Sequence, residues 1–208
     1  MKIYTRTGDS GETSLFGNIR VSGIIALTIA DDDDLVAVRI TEGSSDLLLG
    51  TRNGWAIRFR EENVRPMGRS ARGVRGIRLR QDESKESDQV VGMAVIPREE
   101  PATLLTVCEK GYGKRTPTSD YPTKNRGGKG VITIKTTERN GKVVGLRLVT
   151  NDDDLMLITD GGKLIRMPVA GIPTIGRNTQ GVRLIRLEEA EKVVAMERIA
   201  ESLQEVRK

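Results

Sequence analysis

The amino-acid sequence predicts an all-β repeat protein, and three observations carry that prediction. A glycine-centred basic motif occurs three times, an apolar hairpin precedes each copy at a fixed distance, and polar turns separate the short apolar runs. Four strands in each unit of roughly 50 residues are typical of a propeller blade. We therefore expect a β-propeller or β-pinwheel repeat whose three four-stranded blades form an open arc.

The basic motif places an arginine four residues before a glycine and a valine directly after that glycine. An isoleucine follows four residues after the glycine, and a basic residue follows five after it. The motif glycines are Gly73, Gly130 and Gly181, and we call residues 69–73, 126–130 and 177–181 the basic loops. Three copies of one basic turn indicate a repeated positive surface.

A hairpin turn lies 19 residues before each motif glycine, at Gly54, Gly111 and Gly162. Asn-Gly and Gly-Gly between apolar runs favour tight turns, because such turns require positive φ. We expect a first strand at 35–38, 90–93 and 143–146, a second at 47–49, 104–107 and 155–158, a third after each hairpin turn, and a fourth after each basic loop. The predicted blades span approximately residues 23–81, 82–137 and 138–200, within a repeat region of 23–202.

The two ends of the chain differ from the repeats. Residues 1–22 are rich in Thr, Gly and Ser and have no later counterpart. Residues 193–197 begin a fourth unit, which we interpret as a closing strand that pairs with a neighbour. Residues 203–208 form a charged tail.

The amino-acid composition restricts the partners and the catalytic or metal sites that the chain can have. Lys and Arg number 34 against 29 Asp and Glu, a net charge of +5 that favours a polyanion as partner. Aromatic residues make up only 3% of the chain, so duplex DNA suits it better than a single strand, which requires stacking platforms. The chain has no histidine, which excludes histidine-based catalysis and histidine-ligated metals.

The lone cysteine, Cys108, excludes an intramolecular disulfide and a cysteine metal cluster, and it fits a reducing cytoplasm. It lies in an apolar run, so we expect a buried, inert thiol. The acidic runs 31–34 and 152–154 lack the glycine and distal glutamate of a calcium loop, and we interpret them as solvated turns. We expect Trp55 to pack within a blade. No run is long and apolar enough for a membrane span.

Residues 23 to about 202 resemble the C-terminal domain of DNA gyrase A. The most specific stretches are 64–68, 73–79, 111–116, 136–141 and 175–182. The resemblance implies a β-pinwheel, a propeller variant that exchanges strands between blades and wraps duplex DNA on a basic rim. It implies that this chain corresponds to the last three of six blades, although residues 124–130 resemble the seven-residue box that the family carries in its first blade.

The resemblance also implies the function and partners of the chain. It would bind and bend duplex DNA without sequence preference, as part of a type IIA topoisomerase, in the cytoplasm at the nucleoid. It would not be an enzyme by itself and would need no cofactor, because the family's cleavage domain and catalytic tyrosine have no counterpart here. Its other partners would be the rest of gyrase A, gyrase B, and a second copy of the chain through open blade edges. The expected DNA-binding residues are Arg58, Arg69, Arg72, Arg78, Arg115, Lys124, Arg126, Lys129, Lys135, Arg166, Arg177 and Arg186.

Three alternatives stay open. Residues 1–17 resemble the N-terminus of PduO-type cobalamin adenosyltransferases, which contacts ATP phosphates, so the chain is alternatively a fragment of an ATP:cob(I)alamin adenosyltransferase. We favour instead a fusion or artefact for this unrelated N-terminal segment. The second alternative is the related subunit of topoisomerase IV, which has a looser version of the same blades. The third is a propeller that binds protein.

Overall fold

The computed structural model describes residues 12–15, 19–22, 26–31, 33–69, 71–80, 87–98 and 102–200. The chain divides into two compact units, one of Met1–Leu35 with Arg65–Val74 and one of Val36–Val64 with Arg75–Lys208. In the first unit, strands β1 (Glu12–Leu15) and β2 (Ile19–Ser22) pair as an antiparallel hairpin. The tail at 203–208 and most of the adenosyltransferase-like stretch lie outside the described residues.

The second unit contains eleven of the described strands and three short 3₁₀ turns. The strands are β3 (Asp46–Thr51), β4 (Trp55–Arg60), β5 (Val90–Ile96), β6 (Thr103–Cys108), β7 (Tyr112–Pro117), β8 (Val131–Ile132), β9 (Val143–Val149), β10 (Asp154–Thr159), β11 (Leu164–Pro168), β12 (Val182–Arg183) and β13 (Val193–Ile199). The 3₁₀ turns are Glu61–Asn63, Thr118–Asp120 and Val169–Gly171. None of the described residues forms a helix that is long and apolar enough to cross a membrane.

Each hairpin is closed by its predicted glycine. Gly54, Gly111 and Gly162 have φ of 80°, 76° and 80°, and each donates its N–H to the carbonyl three residues earlier. Only glycine adopts this left-handed conformation without a steric penalty, so the turn residues of the sequence fix the three hairpins β3–β4, β6–β7 and β10–β11.

Each sheet of the second unit is offset from the sequence repeat by half a unit. Hairpin β3–β4 of the first repeat is flanked by β5 and β8, both of which come from the second repeat. Hairpin β6–β7 of the second repeat is flanked in the same way by β9 and β12 of the third. Hairpin β10–β11 pairs with β13, the predicted closing strand. The all-β propeller-type fold and the pairing of that strand are confirmed.

The core lies between consecutive sheets. Leu48, Ala94, Leu104 and Leu146 come from the first two sheets and pack in one cluster with under a tenth of each side chain exposed. Leu105, Leu155 and Leu157 belong to a second cluster that joins the second and third sheets. Successive residues of β6 point to opposite faces of its sheet, so Leu104 packs in the first cluster and Leu105 in the second.

Two predicted strands and one predicted four-stranded blade differ from the structure. Residues 35–38 form no strand, and Leu35, Val36 and Val38 are more than half exposed. Residues 77–80 also form no strand. In the offset arrangement both segments require a hairpin from a preceding repeat, and no such hairpin pairs with them among the described residues. The third sheet has three strands within the described range, because no strand pairs with the outer edge of β11.

Three smaller predictions have clear outcomes. Cys108 is fully buried, and this burial raises the pKa of its thiol to about 12, as expected of an inert thiol. Trp55 packs against the guanidinium of Arg80, whose central carbon lies 3.4 Å from the ring centroid. The interpretation of 152–154 as a solvated turn is wrong for Asp153, which is 5% exposed and accepts hydrogen bonds from the N–H and hydroxyl of Thr150. Asp32 lies outside the described residues.

Candidate nucleic-acid interface

The second basic loop is fixed to the backbone that follows the first one. Arg126 donates from Nη1 to the carbonyl of Arg75 at 3.1 Å and from Nε to the carbonyl of Asn63 at 2.9 Å. The N–H of Arg78 donates to the carbonyl of Gly128 at 2.9 Å. The loop is therefore held by its own arginine and by the backbone of the preceding repeat.

The third basic loop repeats this arrangement one unit further along. Arg177 donates from Nη1 to the carbonyl of Ile132 at 3.0 Å, and the N–H of Lys135 donates to the carbonyl of Thr179 at 2.8 Å. Ile132 and Lys135 occupy the positions of Arg75 and Arg78 in the motif. The same two bonds thus join each loop to the repeat before it, which places the second and third loops in equivalent positions.

The motif glycines allow this close approach. A Cβ added to Gly130 would lie 2.4 Å from the carbonyl oxygen of Ala56, and one added to Gly181 would lie 2.7 Å from that of Gly113. Both glycines also have positive φ, of 71° and 77°. Any side chain would push the loop away from strand β4 or β7, so the loop positions depend on glycine.

Five predicted residues of the second unit present exposed, unpaired positive charge. Their side chains are exposed, and among the residues that the structure describes none of them forms an ion pair. They are Arg78, Lys124, Lys129, Lys135 and Arg186. Arg69 and Arg72 are exposed as well, in the first compact unit. Arginine and lysine without an acidic neighbour remain available to phosphate oxygens.

Three predicted arginines that follow the hairpin glycines are engaged elsewhere. Arg58 forms an ion pair with Asp46 at 2.8 Å, and Arg166 forms one with Asp154, the equivalent aspartate. Arg115 is 8% exposed and donates to the carbonyl of Ile172 at 2.7 Å. The structure does not bring these three together with the exposed charges of the basic loops, since their guanidinium groups bond to their own hairpins and to neighbouring backbone.

Sequence reasoning missed two further arginines. The guanidinium groups of Arg139 and Arg183 lie over the ring of Tyr112, at 5.1 Å and 5.4 Å from its centroid, and both donate to its hydroxyl oxygen. These hydrogen bonds lower the pKa of Tyr112. Both arginines are exposed, and Arg183 is the second residue after the third basic loop. Their spacing from Tyr112 has no sequence signal, because strand pairing between repeats creates it.

No metal centre accompanies these charges among the described residues, where no group of three or more Cys, Asp and Glu is arranged to hold an ion. The second loop contains glycines and the basic residues Arg126 and Lys129, whereas the third carries Asn178, Thr179 and Gln180 between Arg177 and Gly181. The basic side chains in and beside these loops can neutralise phosphates.

Comparison with known proteins agrees with the fold and its offset. A family model described as the DNA gyrase C-terminal domain, a beta-propeller, matches residues 20–42, 45–97, 102–150 and 153–200. The last three matched segments each begin at a hairpin and end after the strand that flanks it, so they follow the observed sheets. The first one starts at residue 20, three residues before the predicted start of the repeat region.

Among curated proteins, the chain is 49% identical over 201 residues to the A subunit of DNA gyrase from Salmonella typhimurium, with 96% of this chain and 22% of that protein covered. It is 47% identical over 192 residues to the A subunit of DNA gyrase from Staphylococcus aureus strain MRSA252, with 92% of this chain and 21% of that protein covered. The chain thus spans about a fifth of the length of these relatives.

Two solved structures share the fold. One is described as the DNA gyrase A C-terminal domain, with a TM-score of 0.74 and 25% identity over 91% of this chain and 62% of that one. The other is the C-terminal domain of DNA topoisomerase IV, with a TM-score of 0.76 and 24% identity over 84% of this chain and 53% of that one.

Proposed function

The chain belongs to the DNA gyrase C-terminal domain family, and from this premise we propose that it binds duplex DNA along its basic loops and bends it. The observation that supports this most is the repeated seating of the second and third loops on the backbone of Arg78 and Lys135, which sets these two exposed basic residues at equivalent positions. A row of such charges suits a phosphate backbone, which presents negative charge at regular intervals.

The proposed contacts go to phosphates. The candidate residues in the second unit are Arg78, Lys124, Lys129, Lys135 and Arg186, with Arg139 and Arg183 as additional donors. Phosphate contacts fix position and orientation but carry little sequence information, so binding is expected to be largely independent of sequence. Arg126 and Arg177 contribute charge, but their guanidinium groups serve mainly to hold the loops in place.

The remaining partners follow from the family. We propose that the chain acts with the rest of gyrase A and with gyrase B, as a non-catalytic part of a type IIA topoisomerase at the nucleoid. In that role it would supply DNA binding and bending, while cleavage and ATP hydrolysis would belong to other parts of the assembly. Open sheet edges favour a further association, of the chain with itself.

The binding strength is limited by the size of the basic surface. Each phosphate contact contributes about −0.9 to the slope of log K against log salt, so five contacts predict a slope near −4.5. Affinity should lie in the non-specific range, around 10⁻⁴–10⁻⁶ M at physiological salt. Bending a 20–30 bp site costs on the order of 1–6 kcal/mol, so the chain should bind DNA more readily than it bends it.

A salt titration of duplex binding tests the proposal, with the parent chain and the double variant Lys129→Gln, Lys135→Gln. Both lysines are exposed and unpaired in the described structure, so their loss should reduce the steepness of the slope by about 2. The matched control is Lys192→Gln, Arg198→Gln, which removes two exposed basic side chains that have acidic partners. The control should bind like the parent. Binding that ignores salt, or equal losses in the two double variants, would refute the DNA assignment.

A further inference from the structure

The two four-stranded sheets bind their outer strands, β8 next to β4 and β12 next to β7, in the same register. In the first sheet, Trp55 lies opposite Ile132, and Ala56 lies opposite Val131. In the second sheet, Tyr112 lies opposite Arg183, and Gly113 opposite Val182. In both cases the residue after the hairpin glycine faces the second residue after the motif glycine of the next repeat.

No strand within the described ranges pairs with the outer edge of the third hairpin. Leu164, the first residue of β11, is 64% exposed, whereas the equivalent Ala56 is fully buried. A Cβ added to Gly162 would meet nothing within 4 Å, whereas one added to Gly54 would lie 2.2 Å from the carbonyl oxygen of Ile134. The carbonyl of Gly54 accepts the N–H of Thr133 at 2.8 Å, and no described donor reaches the carbonyl of Gly162. The outer edge of β11 is therefore an unfilled copy of an existing strand site.

The chain carries a matching segment with which no hairpin pairs in the part of the chain that the structure describes. Residues 73–78 contain the same motif as the two bound strands, yet 74–78 form no strand. The carbonyl of Arg75 accepts the guanidinium of Arg126, just as the carbonyl of Ile132 in β8 accepts that of Arg177. The segment is thus bound by the arginine of the following loop, as β8 is, and among the described residues no hairpin pairs with it.

The charges around the outer edge of β11 and on residues 74–78 favour pairing between these two segments. The turn before β11 is surrounded by Asp160, Glu188, Glu189 and Glu191, with Lys163 as the one basic side chain of the group. The matching segment presents Arg75 and Arg78, both exposed. An acidic rim beside an open strand edge selects a basic strand over an acidic one.

From these relationships we propose that the outer edge of β11 binds residues 74–78 of a second copy of this chain. The common register assigns Leu164 opposite Val74, and it assigns Arg75 opposite Lys163, whose charge is neutralised by ion pairs with Glu188 and Glu191. Two copies that exchange these segments fill both open edges at once, so the association ends at a dimer. This proposal is independent of DNA binding, because it uses strand pairing and the acidic turn of the third hairpin.

Disulfide trapping without DNA tests the register. A tagged Arg75→Cys chain is mixed with an untagged Lys163→Cys chain under mild oxidation, and we expect a covalent heterodimer. The control pair is Arg75→Cys with Val194→Cys, which places the thiol at an exposed position of β13 instead. Cys108 is fully buried in every variant and does not compete. No heterodimer, or equal trapping in both pairs, would overturn the proposal.

Sedimentation equilibrium of the untreated chain provides the second measurement. We expect a species of twice the 22.8 kDa chain mass at high concentration. Leu164→Lys should shift it to the monomer, because it places a positive charge beside the incoming basic strand. Val194→Lys, which changes another exposed apolar residue, on β13, should leave the dimer intact. A monomer at all concentrations for the parent chain would contradict the proposal, whatever the outcome of the DNA titration.

Discussion

The ammonium group of Lys114 lies 2.6 Å from the carbonyl oxygen of Gly176, and no part of Lys114 is exposed. The same group donates to the carbonyl of Arg177 and to the hydroxyl of Thr179. A single buried cation therefore fixes the start of the third basic loop from beneath. The equivalent positions in the other repeats are Ile57 and Ile165, so this device belongs to the second repeat alone.

The burial of Lys114 predicts a pH dependence of stability. Desolvation lowers its pKa to about 8 from an ordinary 10.5. Between these values the folded chain has released the proton and the unfolded chain still holds it, so the free energy of unfolding should rise with pH. Below pH 8 both states are protonated, and Lys114 adds no pH dependence. The full rise is on the order of 3 kcal/mol.

Urea unfolding of the parent chain and Lys114→Met at pH 7.5 and 9.5 isolates this contribution. The rise should be present in the parent and reduced in the variant, since other titrating groups are common to both. The variant should also be less stable at pH 7.5, because three oxygens lose their donor. Equal pH dependence in the two chains would show that the ammonium is not buried in solution.

Arg126→Lys separates charge from loop position. Lysine retains the positive charge, but it cannot reach the two carbonyls of Asn63 and Arg75 with a forked pair of donors. We expect a loss of about 1–3 kcal/mol in the free energy of unfolding with little change in the salt slope of DNA binding. Thermal unfolding and the salt titration measure the two effects. A flattened slope with unchanged stability would place the guanidinium on the DNA instead.

Gly181→Ala tests whether the third loop depends on its close contact with β7. The new methyl group would lie 2.7 Å from the carbonyl oxygen of Gly113, at a φ of 77°. The conformational penalty alone is roughly 1–2 kcal/mol, and the steric contact adds to it. Gly171→Ala is the matched control, because nothing lies within 4 Å of its added methyl group. Chemical unfolding should show a loss for the first variant only; equal stability would mean that the loop can move outward freely.

The sequence allows the hairpins and loops to be predicted because their determinants are local. A glycine with positive φ and the apolar runs beside it specify β6–β7 without reference to the rest of the chain. The pairing of β8 with β4 has no such signal, since it joins residues more than 70 positions apart. The exposed Leu35 and Val36 show the same limit. Their apolar pattern predicts a strand, but a strand forms only where a partner is present.

The prediction of the candidate site from the sequence has the same limit. In the sequence, Arg58, Arg115 and Lys129 are all basic residues near a turn glycine. Residue type shows the charge of each side chain but not the group to which that side chain bonds. Arg58 bonds to Asp46, which lies in the opposite strand of its hairpin, and Arg115 bonds to the carbonyl of Ile172, which belongs to the next repeat. Lys129 is left exposed. Only the folded chain distinguishes a cation held by protein oxygens from one that faces solvent.

The half-unit offset between sheets and repeats determines how the chain can fold. The flanking strands of hairpin β3–β4 are β5 and β8, so its sheet is complete only when residues 90–132 have folded. The sheet of hairpin β6–β7 likewise requires residues 143–183, which contain β9 and β12. No single repeat therefore contains one complete sheet, and neighbouring repeats are interlocked in both directions. Repeats that merely stack can unfold one at a time from an end. Here the loss of one repeat strips both flanking strands from the hairpin of the repeat before it, so the interlocked sheets should melt together as a single cooperative body.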